Sequence, residues 1–351
     1  MFFDRGSDYS LLHLTVLLLL ASLPSTIAGL PRYKPITRSC GARDPSANLT
    51  NTHRWLQQTE PLENDLWNAT TVQERHIPSN RRVKRQAPSP LYTIDTYMHI
   101  IADSSTSDPN APNYITDNII RNQFNYLASA YDNASIGFRL AGVDRVTNDT
   151  WAANGDDVAM KRALRRGTYA SLNIYYQSLL QANANTPGVP QGSTLLGFCT
   201  LPEGGITAGM DSEEYVFDGC NVLSGTMPGG SYVGYNLGGT TAHEVGHWNG
   251  LLHTFTGNSC AADDFGDYVA DTPQERTSTN GCPIYKDSCP ASGVPEIYNG
   301  IGAEPYGPQG YSGLDPVHNF MDYSSDACYA GFTPGQGARM LNIWRIYREG
   351  L

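Results

Sequence analysis

Residues 240–253 read TTAHEVGHWNGLLH, with His243, His247 and His253 spaced four and six apart. At 100° per residue His243 and His247 stand about 40° apart on one helical face, one turn from each other, so both imidazoles reach a single metal ion. The sequence predicts that Thr240 or Thr241 caps this helix after Gly238-Gly239. Gly250 accepts a positive φ, which lets the chain turn and bring His253 back as a third ligand. Three neutral nitrogen ligands without a fourth protein ligand leave one coordination position open, as in a catalytic zinc site; a structural site would be closed by four residues. Zinc lowers the pKa of its bound water from 15.7 to about 7 and polarises a carbonyl that approaches it. Glu244, next to the first ligand, is placed to take the water proton and pass it to a leaving amine. The predicted chemistry is hydrolysis of a stable acyl bond.

A bare H-E-x-x-H fixes three positions and also arises on surface helices. With Gly250 and His253 at their offsets it becomes H-E-x-x-H-x-x-G-x-x-H, the metzincin zinc-binding pattern. His243 to Phe255, HEVGHWNGLLHTF, together with Asp271-Thr272-Pro273 and Asn319-Phe320-Met321-Asp322-Tyr323, resembles the pappalysin-type metzincins, also called the M43 or cytophagalysin family, and most of all their secreted fungal members. The likeness covers residues 90–350 and is specific toward the C-terminal end. Thr254 after the third histidine agrees with that pattern and disfavours the astacin, reprolysin and matrixin types.

The resemblance implies an α+β metzincin-type zincin. Its twisted mixed β-sheet carries a backing helix and the zinc-binding active-site helix, above an irregular disulfide-linked lower subdomain that ends in a C-terminal helix. It implies that Met321 forms a Met-turn, a soft apolar floor for the imidazoles, and that Tyr323 hydrogen-bonds the oxyanion side of the tetrahedral intermediate. Of the seven cysteines, Cys40 stands alone near the front; the other six allow 15 pairings on count alone. The resemblance implies Cys260–Cys289 and Cys282–Cys328, which leaves Cys199 and Cys220 for each other. It also supports a cysteine switch, in which Cys40 takes the water position as a thiolate ligand and keeps the enzyme silent. Asp263, Asp264, Asp267 and Asp271 crowd nine positions with hard oxygen ligands suited to calcium, though the same run also reads as a solvated acidic face. The resemblance places calcium in this lower region without identifying its ligands.

Away from the motif the pattern alternates between two periods. Ile94, Thr96, Met98 and Ile100 step by two, as do Ile136, Phe138 and Leu140, and later Leu172, Ile174 and Tyr176, which predicts strands. Ile119, Ile120, Phe124, Leu127 and Tyr131 fit one helical face, Val158 to Leu164 a shorter helix, and Met340, Ile343, Trp344 and Tyr347 a final one. Short strands are predicted around Leu195–Cys199 and Tyr215–Leu223, and a substrate is expected to add to an edge strand within Asp218–Ser224. Strands separated by helices predict a sheet with parallel pairs and crossover helices.

The whole chain has 351 residues, 23 basic and 34 acidic, for a net charge of −11, and 40% of it is apolar. That is enough to build a sizeable core, and the acidic balance disfavours a nucleic-acid binder, which needs clustered Lys and Arg. The charge is uneven: residues 1–85 carry +4 and residues 86–351 carry −15. A basic front over an acidic body suits a segment held partly by charge and later removed. After Arg5, the apolar run ending at Leu20 is too short for a bilayer span and reads as a signal peptide cut after Ala28, with no membrane association afterwards. The run Arg81-Arg82-Val83-Lys84-Arg85, followed by Pro88 and Pro90, suits a dibasic processing protease. Asn48, Asn68, Asn133 and Asn148 begin N-x-S/T sequons usable on a secreted route.

These readings predict a secreted zinc endopeptidase acting on protein or peptide substrates: signal peptide 1–28, propeptide 29–85 and catalytic domain 86–351. A zinc amidase or deacetylase would use the same water chemistry but not this third-ligand spacing. A non-catalytic secreted binding module would need a fourth ligand where Glu244 stands.

Overall fold

The computed structural model describes residues 40–60, 90–184, 186, 189–206, 212–257, 259–261, 264, 266–290, 297–298 and 314–351. All belong to one compact unit, Thr37–Leu351. The signal peptide, the basic run at 81–85, Asn68 and Asp263 lie outside the described residues. No helix among the described residues is long and apolar enough to cross a membrane.

In chain order the elements are α1 (Ala47–Thr59), β1 (Tyr92–Ala102), α2 (Asp117–Ala130), β2 (Ile136–Thr147), α3 (Asp149–Ala152), α4 (Asp157–Leu164), β3 (Leu172–Gln177), β4 (Gly197–Cys199), α5 (Glu213–Phe217), β5 (Cys220–Leu223), α6 (Gly239–Trp248), β6 (Lys286–Asp287), β7 (Ile297–Tyr298) and α7 (Pro334–Tyr347). The main sheet has the order β2-β1-β3-β5-β4. Its first four strands are parallel and β4 runs antiparallel to β5. Parallel neighbours require crossovers, and α2 provides the first of them between β1 and β2.

β3 is buried along its whole length, as expected of a central strand covered on both faces. On one face Ile94, Met98, Ile174, Tyr176 and Val222 join Leu127 from α2 and Tyr131 just after it, Val245 and Trp248 from α6, and Met340 and Trp344 from α7 in one core. On the other, Ile101 and Tyr175 pack with Ala152 and Met160. The Tyr131 hydroxyl donates to the Ala242 carbonyl at 2.8 Å, fixing α2 against α6.

Two local expectations change. Tyr215–Phe217 is helical: the Ser212 side chain caps the segment by accepting from the Tyr215 N–H, and Glu213 and Glu214 lie in its first turn, where carboxylates favour the helix dipole. Only Cys220–Leu223 of that stretch is strand, and it is no edge. β5 pairs with β3 on one side and β4 on the other, so the open edge belongs to β4.

Three disulfides tie the described residues. Cys199–Cys220 joins β4 to β5 at directly paired positions, Cys260–Cys289 closes the irregular stretch after α6, and Cys282–Cys328 links that stretch to the segment before α7.

Candidate metal centre

α6 carries His243 and His247, and their Nε2 atoms lie 3.2 Å apart. The helix ends in a Schellman motif: Gly250 has φ 91°, its N–H donates to the His247 carbonyl at 2.8 Å, and the Leu251 N–H donates to Gly246 at 2.9 Å. That turn reverses the chain and brings His253 Nε2 to 3.0 Å from His247 Nε2 and 3.2 Å from His243 Nε2. A side chain at position 250 would be strained by its φ and would meet Ile343 Cγ2 at 2.7 Å. Gly250→Ala should therefore cost about 1–2 kcal/mol from the backbone alone, lowering the melting temperature by about 5 °C. It should also weaken metal retention in competition with a chelator, because the turn positions the third imidazole.

Helix α6 is not capped by Thr240 or Thr241. Gly238 is its N-cap, with φ 107° and no side-chain cap. The Asp326 carboxylate, 87 residues further on, accepts from the N–H groups of Leu237, Gly238 and Gly239 at 2.8–3.1 Å. A carboxylate against the positive end of the helix does the cap's work from a distance. Thr241 instead faces the Tyr176 hydroxyl at 3.3 Å, and Thr240 is buried in the first turn.

The donor chemistry fits a divalent transition metal. His243 Nδ1 is 2.7 Å from the Phe320 carbonyl and His247 Nδ1 is 2.8 Å from the Leu251 carbonyl. A carbonyl only accepts, so each Nδ1 carries the proton and each Nε2 points a lone pair inward. Lone pairs 3.0–3.2 Å apart repel one another unless a cation lies between them, and zinc–nitrogen bonds of about 2.0–2.1 Å in a tetrahedron would set the nitrogens about 3.3 Å apart. Cys40 completes the group: its Sγ and the three imidazole nitrogens all lie within 4.8 Å of one another.

Cys40 arrives on a short extended segment beside β4. It forms a parallel bridge with Gly197, and the Gly41 N–H donates to the Gly197 carbonyl at 3.0 Å. Its Sγ is 3.4 Å from Glu244 Oε2, and its N–H donates to the Tyr323 hydroxyl at 3.3 Å. Glu244 is fully buried and packs so tightly under β4 that a Cβ at Gly197 would meet its Cγ at 2.7 Å. Gly197 is thus part of the site by lacking a side chain, which spacing in the sequence does not reveal.

Met321 is fully buried, and its sulfur occupies the space that a side chain on Gly246 would need, between the two helical histidines. The Tyr323 ring stands nearly perpendicular to that of His253, centroids 5.0 Å apart, and His253's other ring neighbour, Phe255, stacks on it at 4.7 Å. Below them lies a buried polar network that sequence reading missed. The Thr254 hydroxyl donates to Glu275 at 2.7 Å, Lys286 Nζ contacts Glu275 at 2.6 Å and Asp315 at 2.9 Å, and Asp322 accepts from the Thr279 N–H at 2.9 Å. Burial, with Asp322 nearby, pushes the Glu275 carboxyl well above the usual range, while Lys286 draws it back. The network couples the segment after the third histidine to the Met321–Tyr323 turn.

The described aspartates of the acidic run do not converge. Asp264 accepts from the Ser259 and Gly266 N–H groups, and Asp271 from the Thr333 hydroxyl and Gly335 N–H at the start of α7. Asp267 is buried, and its carboxyl rises to about 7 because burial disfavours its charge. Asn48 and Asn133 are exposed, and Asn148 caps α3 through its side-chain oxygen at 3.0 Å from the Trp151 nitrogen.

The profile of the Peptidase M43 family, described as pregnancy-associated plasma protein-A, matches residues 167–345. An extracellular metalloprotease of Aspergillus oryzae is 47% identical over 279 residues, covering 76% of this chain and 80% of the relative. One of Verticillium alfalfae is 38% identical over 317 residues, covering 90% and 92%. Among solved structures, Tannerella forsythia mature mirolysin in complex with a cleaved peptide superposes with a TM-score of 0.51 at 23% identity, covering 73% of this chain and 93% of that one. A promirolysin mutant has the same score and identity and covers 88% and 95%. These likenesses in fold and sequence place the chain in peptidase family M43, and it is a metalloprotease of that family.

Proposed function

We propose that the chain is an extracellular zinc endopeptidase made as a zymogen, with signal peptide 1–28, propeptide 29–85 and catalytic domain 86–351. The observation that carries this reading is the meeting of Cys40 Sγ, three imidazole Nε2 atoms and the Glu244 carboxylate at one point. His243, His247 and His253 would hold zinc, with Cys40 as the added ligand in the uncut chain. When bound, zinc supplies Lewis acidity and makes its water acidic enough to ionise near neutral pH.

Glu244 does the proton work. Its buried carboxylate takes a proton from the attacking water and holds it at Oε2, the oxygen now beside Cys40 Sγ, before giving it to the leaving amine. The Tyr323 hydroxyl, in reach of the Cys40 N–H, is placed to donate to the oxygen that becomes negative on the substrate carbonyl. The open edge of β4 orients an extended protein or peptide segment through backbone hydrogen bonds, as residues 40–41 already use it. Processing after Arg85 by a dibasic-specific protease would begin maturation, and Asn48, Asn133 and Asn148 are the glycan positions among the described residues.

Calcium is proposed at Asp267. Its Oδ2 is buried without a hydrogen-bond partner among the described residues, and the residue lines a small cavity; with Asp264 and Asp271 bonded elsewhere, the rest of a shell of about six to eight oxygens would come from backbone carbonyls and water.

The test uses casein hydrolysis. The processed chain should cleave casein, stop with a chelator and recover with zinc, while the uncut chain stays silent and uncut Cys40→Ser cleaves. Chelator-insensitive cleavage would overturn the metal reading, and an uncut parent as active as Cys40→Ser would overturn the switch.

A further inference from the structure

Cys40 is one place where the described front residues meet the catalytic domain. Another is α1, which packs against one face of α7. Leu49 and Leu56 form a buried cluster with Ile343 and Tyr347, and the Thr52 and Tyr347 hydroxyls are 2.8 Å apart. The Glu60 carboxylate, at the end of α1, receives Arg339 Nε and Nη2 at 2.8–3.1 Å and Asn342 Nδ2 at 3.0 Å. Arg339, Asn342, Ile343 and Tyr347 recur at helical spacing, so α7 presents them as one continuous stripe.

His53 sits at the centre of this contact. It is fully buried, its ring stacks on Tyr268 with centroids 5.7 Å apart, and its Nδ1 is 2.9 Å from Arg339 Nη1. A guanidinium only donates, so His53 Nδ1 accepts and must carry a lone pair. A second proton on the ring would remove that acceptor and set two buried cations against each other.

We propose that α1 is a second anchor of the prosegment, independent of Cys40, seated on the Arg339–Asn342–Ile343–Tyr347 face of α7 and released when His53 is protonated. The proposal rests on reading residues 29–85 as a propeptide. It follows that a cut after Arg85 leaves the front segment bound at two points, and that acidification loosens one of them without touching the sulfur.

The charges around His53 agree. Burial and then Arg339 hold its imidazole down to about 3, while the Gly250 backbone pulls the other way. Arg339 faces it from α7, and Glu60 reaches the same guanidinium from the end of α1. Asp267, held up to about 7 by burial and drawn down by Arg339, lies on the catalytic side whether or not α1 is docked. Because the docked imidazole is the less basic form, the anchor is at full strength above the free-histidine value near 6.5 and weakens as pH falls through it. The loss is about tenfold per unit, or about 30-fold between pH 7.5 and 5.

The full chain carrying Glu244→Ala, which prevents self-digestion, allows hydrogen exchange of the α1 amides to be followed at both pH values. With Cys40→Ser added, α1 should stay protected at pH 7.5 and lose about 30-fold in protection at pH 5, after correction for intrinsic exchange. His53→Asn keeps an acceptor toward Arg339 but takes no proton, so its protection should stay level. Unprotected α1 in Cys40→Ser at pH 7.5, or a parallel loss in His53→Asn, overturns the proposal. Should His53→Asn fail to dock at all, the parent imidazole decides by NMR: a ring that titrates near 6.5 while α1 remains protected overturns it, and one that stays neutral to pH 5 while docked supports it. Activity of uncut Cys40→Ser with Glu244 intact reports on the switch separately, and neither outcome there alters the exchange result.

Discussion

With Glu244→Ala, kcat/KM of the processed enzyme for a peptide substrate should fall about 10²- to 10⁴-fold, the usual contribution of a positioned general base. The ion should stay. Glu244 is not among the convergent metal donors, and its removal leaves the three imidazoles in place, with the Nδ1 groups of His243 and His247 still oriented by the Phe320 and Leu251 carbonyls. Loss of rate with retained zinc is therefore the expected pair of results, measured by peptide cleavage and by metal analysis of the same sample. Glu244→Gln should behave alike, since an amide matches the shape under Gly197 but cannot take the proton. An undiminished rate in either variant would remove Glu244 from the proton path.

The largest effect on stability should come from Asp218→Ala. Its carboxylate, buried at the start of β5, is bonded by Arg348 Nη2 at 2.9 Å, Trp248 Nε1 at 3.1 Å, Thr200 Oγ1 at 3.1 Å and Arg165 Nη2 at 3.3 Å. The Arg348 guanidinium lies 3.7 Å from the centre of the Trp248 ring and 4.4 Å from that of Tyr169. Alanine leaves two buried guanidiniums without their shared anion, a change that costs about 3–5 kcal/mol. In a domain of this size that is a drop of about 10 °C in melting temperature. Burial works to raise the Asp218 carboxyl, but the Arg348 and Arg165 charges outweigh it and hold it below the usual range. A lowered native value makes this contribution full above the unfolded carboxylate value near 3.9; it shrinks below that point and is lost as pH falls through the lower native value. Thermal unfolding of the parent should therefore become steeply acid-sensitive there, and that of Asp218→Ala less so. Equal melting temperatures would show that the pair contributes nothing net.

The helix of the candidate metal centre is legible because its information is local: two histidines share a face at i and i+4, and Gly250 turns the third back within six residues. Alternating runs such as Ile94–Ile100 and Leu172–Tyr176 were equally plain, since burial on a sheet face has a period of two. The order of strands was not, because which neighbour β5 accepts on each side depends on crossovers that no short window contains; hence the edge was expected at Asp218–Ser224 and lies at Gly197–Cys199. The cap of α6 escaped for a similar reason, as Asp326 is distant in sequence and nothing near it marks its target. Glu275 and Lys286, set in an aperiodic stretch, look like surface charges until the fold encloses them. α1 goes unread in the sequence although Leu49, His53 and Leu56 recur on one helical face behind the Ser46 cap, and its apolar face acquires meaning only against α7.

The strip at the mouth of the cleft is only three residues long, Gly197–Cys199, and one of them is joined covalently to Cys220 directly across the ladder. Unfastened, so short a ribbon would peel away whenever a bound chain tugged on it. Riveted, it becomes a fixed ruler: under the proposed edge-strand binding, whatever is to be cut would have to straighten to its spacing, and a tightly folded surface that could not do so would be passed over. Both of its cysteines are buried, so thiols in the medium reach the rivet only where the strip itself opens, and the gauge lasts as long as the fold around it.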